Sequence, residues 1–410
     1  MKFIYNIGIY LLYFIIFITA FFNSKAKQWI NGRKNVFKKI SEYDNEGKKT
    51  VWVHCSSLGE FEQGRPIIDK IKAQHSEYKI VISFFSPSGF EIRKNYKNAD
   101  LVTYLPLDTA KNAKKFISLI KPDIVYFIKY EHWYHYLKTL FINKIPVFLV
   151  AANFRSDQLF FKPFGKWYRN VLRLYTKIYV QEESSVKLLE KFNINNVTIS
   201  GDTRFDRVYE NSLNAVEFPK VRAFKNNKFV IIAGSTWEQD ENILIEYINK
   251  SNKDLKFIIA PHVISESNIK RIESQIKVSS IRYSVFEESD APNYTVLIID
   301  NIGMLSSLYQ YGDIAYIGGG FNAGIHNTLE AVTFGLPVIF GPKYHKFREA
   351  IELLKQQLGF SISNYTDFES QADFLIEKPE VIFDINQKSK ELIKSNSGAT
   401  SKIISETIPI

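Results

Sequence analysis

The run 51–64, Val-Trp-Val-His-Cys-Ser-Ser-Leu-Gly-Glu-Phe-Glu-Gln-Gly, passes from an apolar, β-favouring stretch into small polar residues. A helical pattern then continues through Ile67, Ile68 and Ile71, so the segment reads as strand, tight turn and helix, with Glu60 at the turn. In an open α/β sheet ligands bind at the carboxyl ends of strands, and a helix dipole is expected to hold an acid there ionised and able to accept a proton. Acids are also common at helix starts for structural reasons alone, and this segment does not separate the two roles. A second charged group is Lys129-Tyr130-Glu131-His132-Trp133, where an acid and a base flank an apolar strand. It is suited to a charged substrate, although taken alone it favours a surface ion pair beside a buried Trp133. Arg204, in Gly201-Asp202-Thr203-Arg204-Phe205-Asp206, is placed to meet an anion.

The densest polar signal is the run 318–330, Gly-Gly-Gly-Phe-Asn-Ala-Gly-Ile-His-Asn-Thr-Leu-Glu. Glycines after a strand let backbone amides approach a phosphate, and a helix starting near Asn327 would aim its positive end at the same anion. Glu330, one turn in, suits ribose hydroxyls. The spacing fits neither a Walker loop nor the dinucleotide fingerprint. His262 and the turn Gly303, Met304 and Leu305 each follow a strand and are expected to converge on the same cleft. No pair of histidines with a carboxylate stands at metal spacing, and the single cysteine, Cys55, excludes a thiolate site, so no catalytic metal and no cofactor are expected.

Positioning these residues requires short apolar strands alternating with helices, the pattern of mainly parallel α/β sheets. The first set of strands is predicted over 50–54, 79–85, 101–104, 124–128, 147–151, 177–180 and 197–200. The second set falls over 229–233, 256–260, 296–299, 314–317 and 337–340. Residues 211–227 lose periodicity and read as a linker between domains at 23–210 and 228–410. A chain of 410 residues fits two such domains, and 45% hydrophobic residues exclude a disordered chain.

Residues 1–22 form a membrane anchor, since 3–22 are nearly all apolar and long enough to cross a bilayer. Tyr5, Tyr10 and Tyr13 would equally suit an interfacial seat. Lys25, Lys27, Arg33, Lys34, Lys38 and Lys39 follow, which sets the body on the cytoplasmic side and argues against a cleaved signal peptide. This flank accounts for much of the net charge of +10 and points to an anionic membrane surface rather than nucleic acid. The aromatic and basic run 160–179 offers either a second membrane contact or core packing, with core packing favoured after Trp167.

In this order, the landmarks at 54–60, 86–89, 104–108, Glu131 with Trp133, 153–156, 201–206, 234–238, 318–320, 326–330 and Gly341-Pro342 resemble the 3-deoxy-D-manno-octulosonic acid (Kdo) transferases of lipid A biosynthesis. The resemblance implies a GT-B fold, two Rossmann-like domains with an interdomain cleft, behind the anchor helix. It implies inverting transfer of Kdo from CMP-Kdo to a lipid A precursor at the inner membrane of a Gram-negative bacterium. By motif, Glu60 becomes the general base, with Glu131, Lys129 and Arg204 beside it. His262, Gly303, Met304, Leu305, Asn327, Thr328, Leu329 and Glu330 become CMP-binding positions. The chain departs from the family pattern in having Lys129 for the first acid of an acid-x-acid-Leu-Trp-Pro motif, Tyr134 for its proline, Arg204 for a common lysine, and Pro261-His262-Val263-Ile264 for a more basic stretch. Another GT-B sugar-nucleotide enzyme, a UDP-sugar transferase or an epimerase, and an inactive glycolipid-binding module remain as alternatives.

Overall fold

The computed structural model describes residues 1–408, which form two compact units: Met1–Asp206 with the returning segment from Asn396, and Arg207–Ser395. The first unit is built on seven parallel strands: β1 (Lys49–Cys55), β2 (Tyr78–Phe84), β3 (Leu101–Tyr104), β4 (Ile124–Ile128), β5 (Val147–Ala152), β6 (Lys177–Val180) and β7 (Val197–Ile199). Their order is β3-β2-β1-β4-β5-β6-β7, so the chain winds outward one way from β1 and then the other way from β4. The second unit repeats this plan with β8 (Phe229–Thr236), β9 (Leu255–Pro261), β10 (Ser280–Arg282), β11 (Val296–Ile298), β12 (Ile314–Ile317), β13 (Val338–Phe340) and β14 (Gly359–Ser361). Its order is β10-β11-β9-β8-β12-β13-β14. In such doubly wound sheets the crevice outside the strand ends opens where the winding reverses: between β1 and β4, and between β8 and β12.

The strand period explains how β1 serves two cores at once. Val51, Val53 and Cys55 share one face with Phe61, Ile67, Ile68 and Ile71 of the helix Leu58–Gln74. Trp52 points the other way, against Phe116, Phe127 and Tyr136. All twelve predicted strands are present within a residue or two at most ends. Two were not predicted, β10 and β14, three-residue edge strands too short to show an alternation.

Four helices matter for function: α1 (Lys2–Thr19), α2 (Ser24–Arg33), α3 (Val36–Ser41) and α4 (Leu58–Gln74). The apolar helix α1 is long enough to cross a membrane. It lies with a stripe at Tyr5, Asn6, Ile9, Leu12 and Ile16 turned toward the protein. Its first turns are pinned by hydrogen bonds: the Tyr5 hydroxyl donates to the Asp108 carboxylate, and Asn6 Oδ1 lies 2.7 Å from His135 Nε2. The opposite face is uncovered, with Phe3 76% exposed and Ile7, Tyr10, Phe14 and Ile18 also out. An apolar face of this extent marks a membrane-associating segment. The 160–179 run divides much as expected: Phe164 is exposed, whereas Trp167 packs on Tyr5 and Tyr134.

Two domain assignments are corrected. Residues 211–227 are not a plain linker: the helix Thr203–Leu213 runs into them and a further helix, Pro219–Lys225, buries Val221 and Phe224 in the second unit. The sequence concealed this because Asn and Pro there cap the helix rather than break it. The C-terminal segment, expected in the second domain, belongs to the first. Its helix Ala399–Thr407 packs Ile403 and Ile404 into the core shared with α4, and Asp206 accepts from the Thr400 amide at 2.7 Å. Ile403→Ala is therefore expected to destabilise the first unit by about 2–5 kcal/mol in denaturant unfolding. A loss under about 1 kcal/mol would show that the returning helix is not part of that core.

Candidate active site

Glu60 is the third residue of α4, one turn from the end of β1. Its Oε2 accepts from the amides of Ser56 and Ser57, the latter at 3.1 Å, so it does cap the helix as the structural reading required. Among the described residues no hydrogen bond engages Oε1. The expectation that the helix dipole keeps this acid ionised is not met. Burial, followed by the negative charge of Glu131, pushes its pKa up to about 8, against the opposing pull of the two amides and Lys129. Desolvation of a carboxylate outweighs a partial charge at a helix end. The result is a carboxyl group poised near neutrality, the range in which a general base is most effective.

Glu131 follows β4, the strand that pairs directly with β1, and is buried rather than part of a surface ion pair. Its Oε2 lies 2.9 Å from His54 Nε2 and 2.5 Å from the indole nitrogen of Trp133. The ring of Trp133 stacks on Phe85 at 4.8 Å. His54 Nδ1 lies 2.8 Å from the Ser83 hydroxyl, which itself accepts from Trp52 Nε1 at 2.7 Å. An indole only donates, so Ser83 Oγ accepts from Trp52, and the His54 Nε2–H donates to the Glu131 carboxylate, while Nδ1 is held by the Ser83 hydroxyl and, at 3.1 Å, its carbonyl. Glu131 is thus fixed from behind, on three strands.

Lys129 bends the chain between β4 and Glu131 with φ 71°, a conformation that costs a non-glycine residue about 1–3 kcal/mol and concentrates at functional sites. Ala151 (φ 56°) and Ser235 (φ 54°) do the same at the ends of β5 and β8. Arg204 lies on the helix Thr203–Leu213, with Nη2 2.7 Å from Asp202 Oδ2. The neighbouring Thr203 hydroxyl donates to the carbonyl of Gln63 on α4 at 2.6 Å, which ties this helix start to the element carrying Glu60. Arg155 is exposed and pairs with Asp157.

In the second unit, the carboxyl ends of β8, β9 and β12 gather the other candidates. Trp237, His262 and His326 form a stack with ring centroids 4.5 and 4.7 Å apart. The Trp237 indole donates to His326 Nε2 at 3.2 Å, and burial followed by the charge of His262 lowers the His326 pKa to about 4, so this imidazole is neutral. Asp240 accepts from the amides of Gly319 and Trp237 and from the Tyr316 hydroxyl, locking the glycine turn to the helix Glu238–Lys250. At Gly318 and Gly320 a Cβ would run into the backbone of Ser235 and Gly341, which is why glycine stands there. The Gly303, Met304 and Leu305 turn reaches the same edge, since Leu305 packs over Gly234 at the end of β8.

The segment after the glycines departs from expectation. The helix near Asn327 is the single turn Leu329–Val332, too short for its dipole to act on an anion. Asn327 Nδ2 instead donates to Glu330 at 3.1 Å, and Thr328 and Leu329 are buried beneath them. Ser83, at the start of the polar strand end 83–89 expected to line the crevice, is met there, whereas sequence reasoning did not single out His54, Trp237 or Asp240 as site residues. The alternation of β1, which sets His54 opposite Val53, was the available signal for the first, and the landmark 234–238 for Trp237.

The comparisons agree with this architecture. Residues 31–207 match the family model described as 3-Deoxy-D-manno-octulosonic-acid transferase (kdotransferase). A 3-deoxy-D-manno-octulosonic acid transferase of Aquifex aeolicus is 29% identical over 351 residues, covering 84% of this chain and 91% of its own. That of Haemophilus influenzae is 22% identical, covering 86% and 85%. Among solved structures, a UDP-GlcNAc 2-epimerase from Neisseria meningitidis aligns with TM-score 0.58 at 18% identity, over 88% of this chain and 99% of that one. At such identity the epimerase speaks for the fold alone, a GT-B-like pair of α/β units. The family model spans the strand, turn and helix that carry Glu60, together with Glu131 and Arg204, and relatives of the same name align over most of the chain.

Proposed function

We propose that this chain is an inverting, metal-independent glycosyltransferase that moves Kdo from CMP-Kdo to a lipid A precursor. The observation carrying the reading is Glu60, a buried carboxyl with a pKa raised to about 8, one oxygen anchored by two amides and the other free of such bonds. The acceptor sugar hydroxyl gives its proton to Glu60 as its oxygen attacks the anomeric carbon, and CMP leaves with the electron pair of the broken bond. Lys129 and Arg204 are the cations for the Kdo carboxylate and the leaving phosphate. In the second unit, the exposed ring of His262, backed by Trp237 and His326, suits a flat base. The glycine turn, Gly303 to Leu305 and the Asn327 to Glu330 pair suit phosphate and ribose.

The protein works on the cytoplasmic face of the inner membrane, seated on α1 in the interface rather than threaded through it. Support for this seat comes from the stripe that docks α1 and from its hydrogen-bonded first turns, which a spanning helix would have to give up. The basic residues that follow α1 favour an anionic surface.

Incubation of the protein with CMP-Kdo and lipid IVA is expected to add Kdo masses to the lipid by mass spectrometry, and Glu60→Gln to slow the reaction by about 10²–10⁴-fold. No mass gain, or gain with a UDP-sugar instead, removes the reading. The pH profile of kcat/KM is expected to rise toward an apparent pKa near 8, because the base must be deprotonated. Glu131→Gln keeps an oxygen for His54 and Trp133 but removes a negative charge, so the midpoint is expected to move down; an unchanged or higher midpoint would show that Glu131 does not set the base.

A further inference from the structure

A cavity of about 780 Å³ lies under the membrane helix, apart from the carboxylates of the site, and falls within the usual 300–1,000 Å³ of small-ligand sites. Its walls come from α1 (Ile9, Tyr13, Phe17), α2 (Trp29), Phe37 and Leu107, all apolar or aromatic. Four cations line it, Lys2, Arg33, Lys34 and Lys111, beside the neutral polar groups of Asn6, Thr109 and Asn112. Asp108 also lines it, but this carboxylate is already taken by the Tyr5 hydroxyl and the amides of His135 and Tyr136. Among the described residues no carboxylate pairs with Lys2, Lys34 or Lys111.

Arg33 is the decisive residue. Its guanidinium sits 3.7 Å over the ring of Trp29 and donates to the carbonyls of Leu105, Phe85 and Trp29 itself. Among the described residues no carboxylate neutralises it, and burial lowers its pKa to about 9, which still leaves it charged at neutral pH. A buried cation whose partners are carbonyls and aromatic faces is costly, and an anion is the partner that would offset it. Apolar walls opening along the uncovered face of α1, with unpaired cations at the rim, describe a chain-and-headgroup site.

We propose that this groove binds one anionic glycerophospholipid drawn from the bilayer, an acyl chain along α1 and α2 and the phosphate among Arg33, Lys34 and Lys111. The lipid would be a bound component of the membrane seat, distinct from acceptor and donor, and the proposal holds whether or not Kdo is the sugar transferred. Full-length protein is exchanged into nanodiscs of phosphatidylglycerol, of phosphatidylcholine, or of phosphatidylglycerol with lipid IVA, then released and weighed by native mass spectrometry. One retained phosphatidylglycerol per chain is expected, and no retained phosphatidylcholine. Lys34→Glu with Lys111→Glu is expected to cut retention about tenfold or more, since two rim charges are reversed. Leu107→Trp, which fills the groove without altering charge, is expected to do the same, and circular dichroism checks that each variant is folded. Equal retention of both phospholipids, retention untouched by either folded variant, or displacement of phosphatidylglycerol by lipid IVA would each overturn the proposal.

Discussion

The first unit depends on one costly arrangement, two carboxyl groups brought close on a poorly hydrated sheet edge. The pairing of β1 with β4 makes it unavoidable, because Glu60 leaves one strand and Glu131 the other at the point where the winding reverses. Charging both is unfavourable, so the protein fixes one and leaves the other adjustable. Glu131 is tied from behind by His54 and Trp133, themselves positioned by Ser83, Trp52 and Phe85. Glu60 carries the consequence as a raised proton affinity. Much of the packing around Trp52 reads as a foundation for that single difference.

The second unit solves a different problem with the same sheet plan. There the strand ends are crowded by backbone instead of charge. Gly318 and Gly320 admit neighbouring main chain where any Cβ would collide, and Asp240 ties the turn to the next helix through two amides. The imidazoles of His262 and His326 and the indole of Trp237 then line up in one stack, assembled from three separate strand ends. A polar backbone surface beside a flat aromatic one is what a nucleotide requires.

Membrane attachment is integrated with the first unit rather than appended to it. Tyr5 and Asn6, which look like flaws in an apolar helix, are the groups that hydrogen-bond it to Asp108 and His135. The same docking encloses the basic, aromatic cavity around Arg33. The returning C-terminal helix braces α4 on their shared face of the sheet, so the element carrying Glu60 is held by residues more than three hundred positions away.

The residues by themselves determined the two α/β alternations, the apolar amino-terminal helix and the strand-turn-helix placing Glu60, because periodicity and turn chemistry are local properties. They also marked the glycine turn at 318–320, since close backbone approach admits few other side chains. What stayed hidden was set by contacts between distant segments. The sequence offers no sign that Ile403 joins the core that holds Val53, that His54 meets Glu131, or that Trp237, His262 and His326 stack. The protonation of Glu60 reversed for the same reason: a helix start can be read from neighbouring residues, whereas desolvation and a like charge arriving from another strand exist only once the chain has folded.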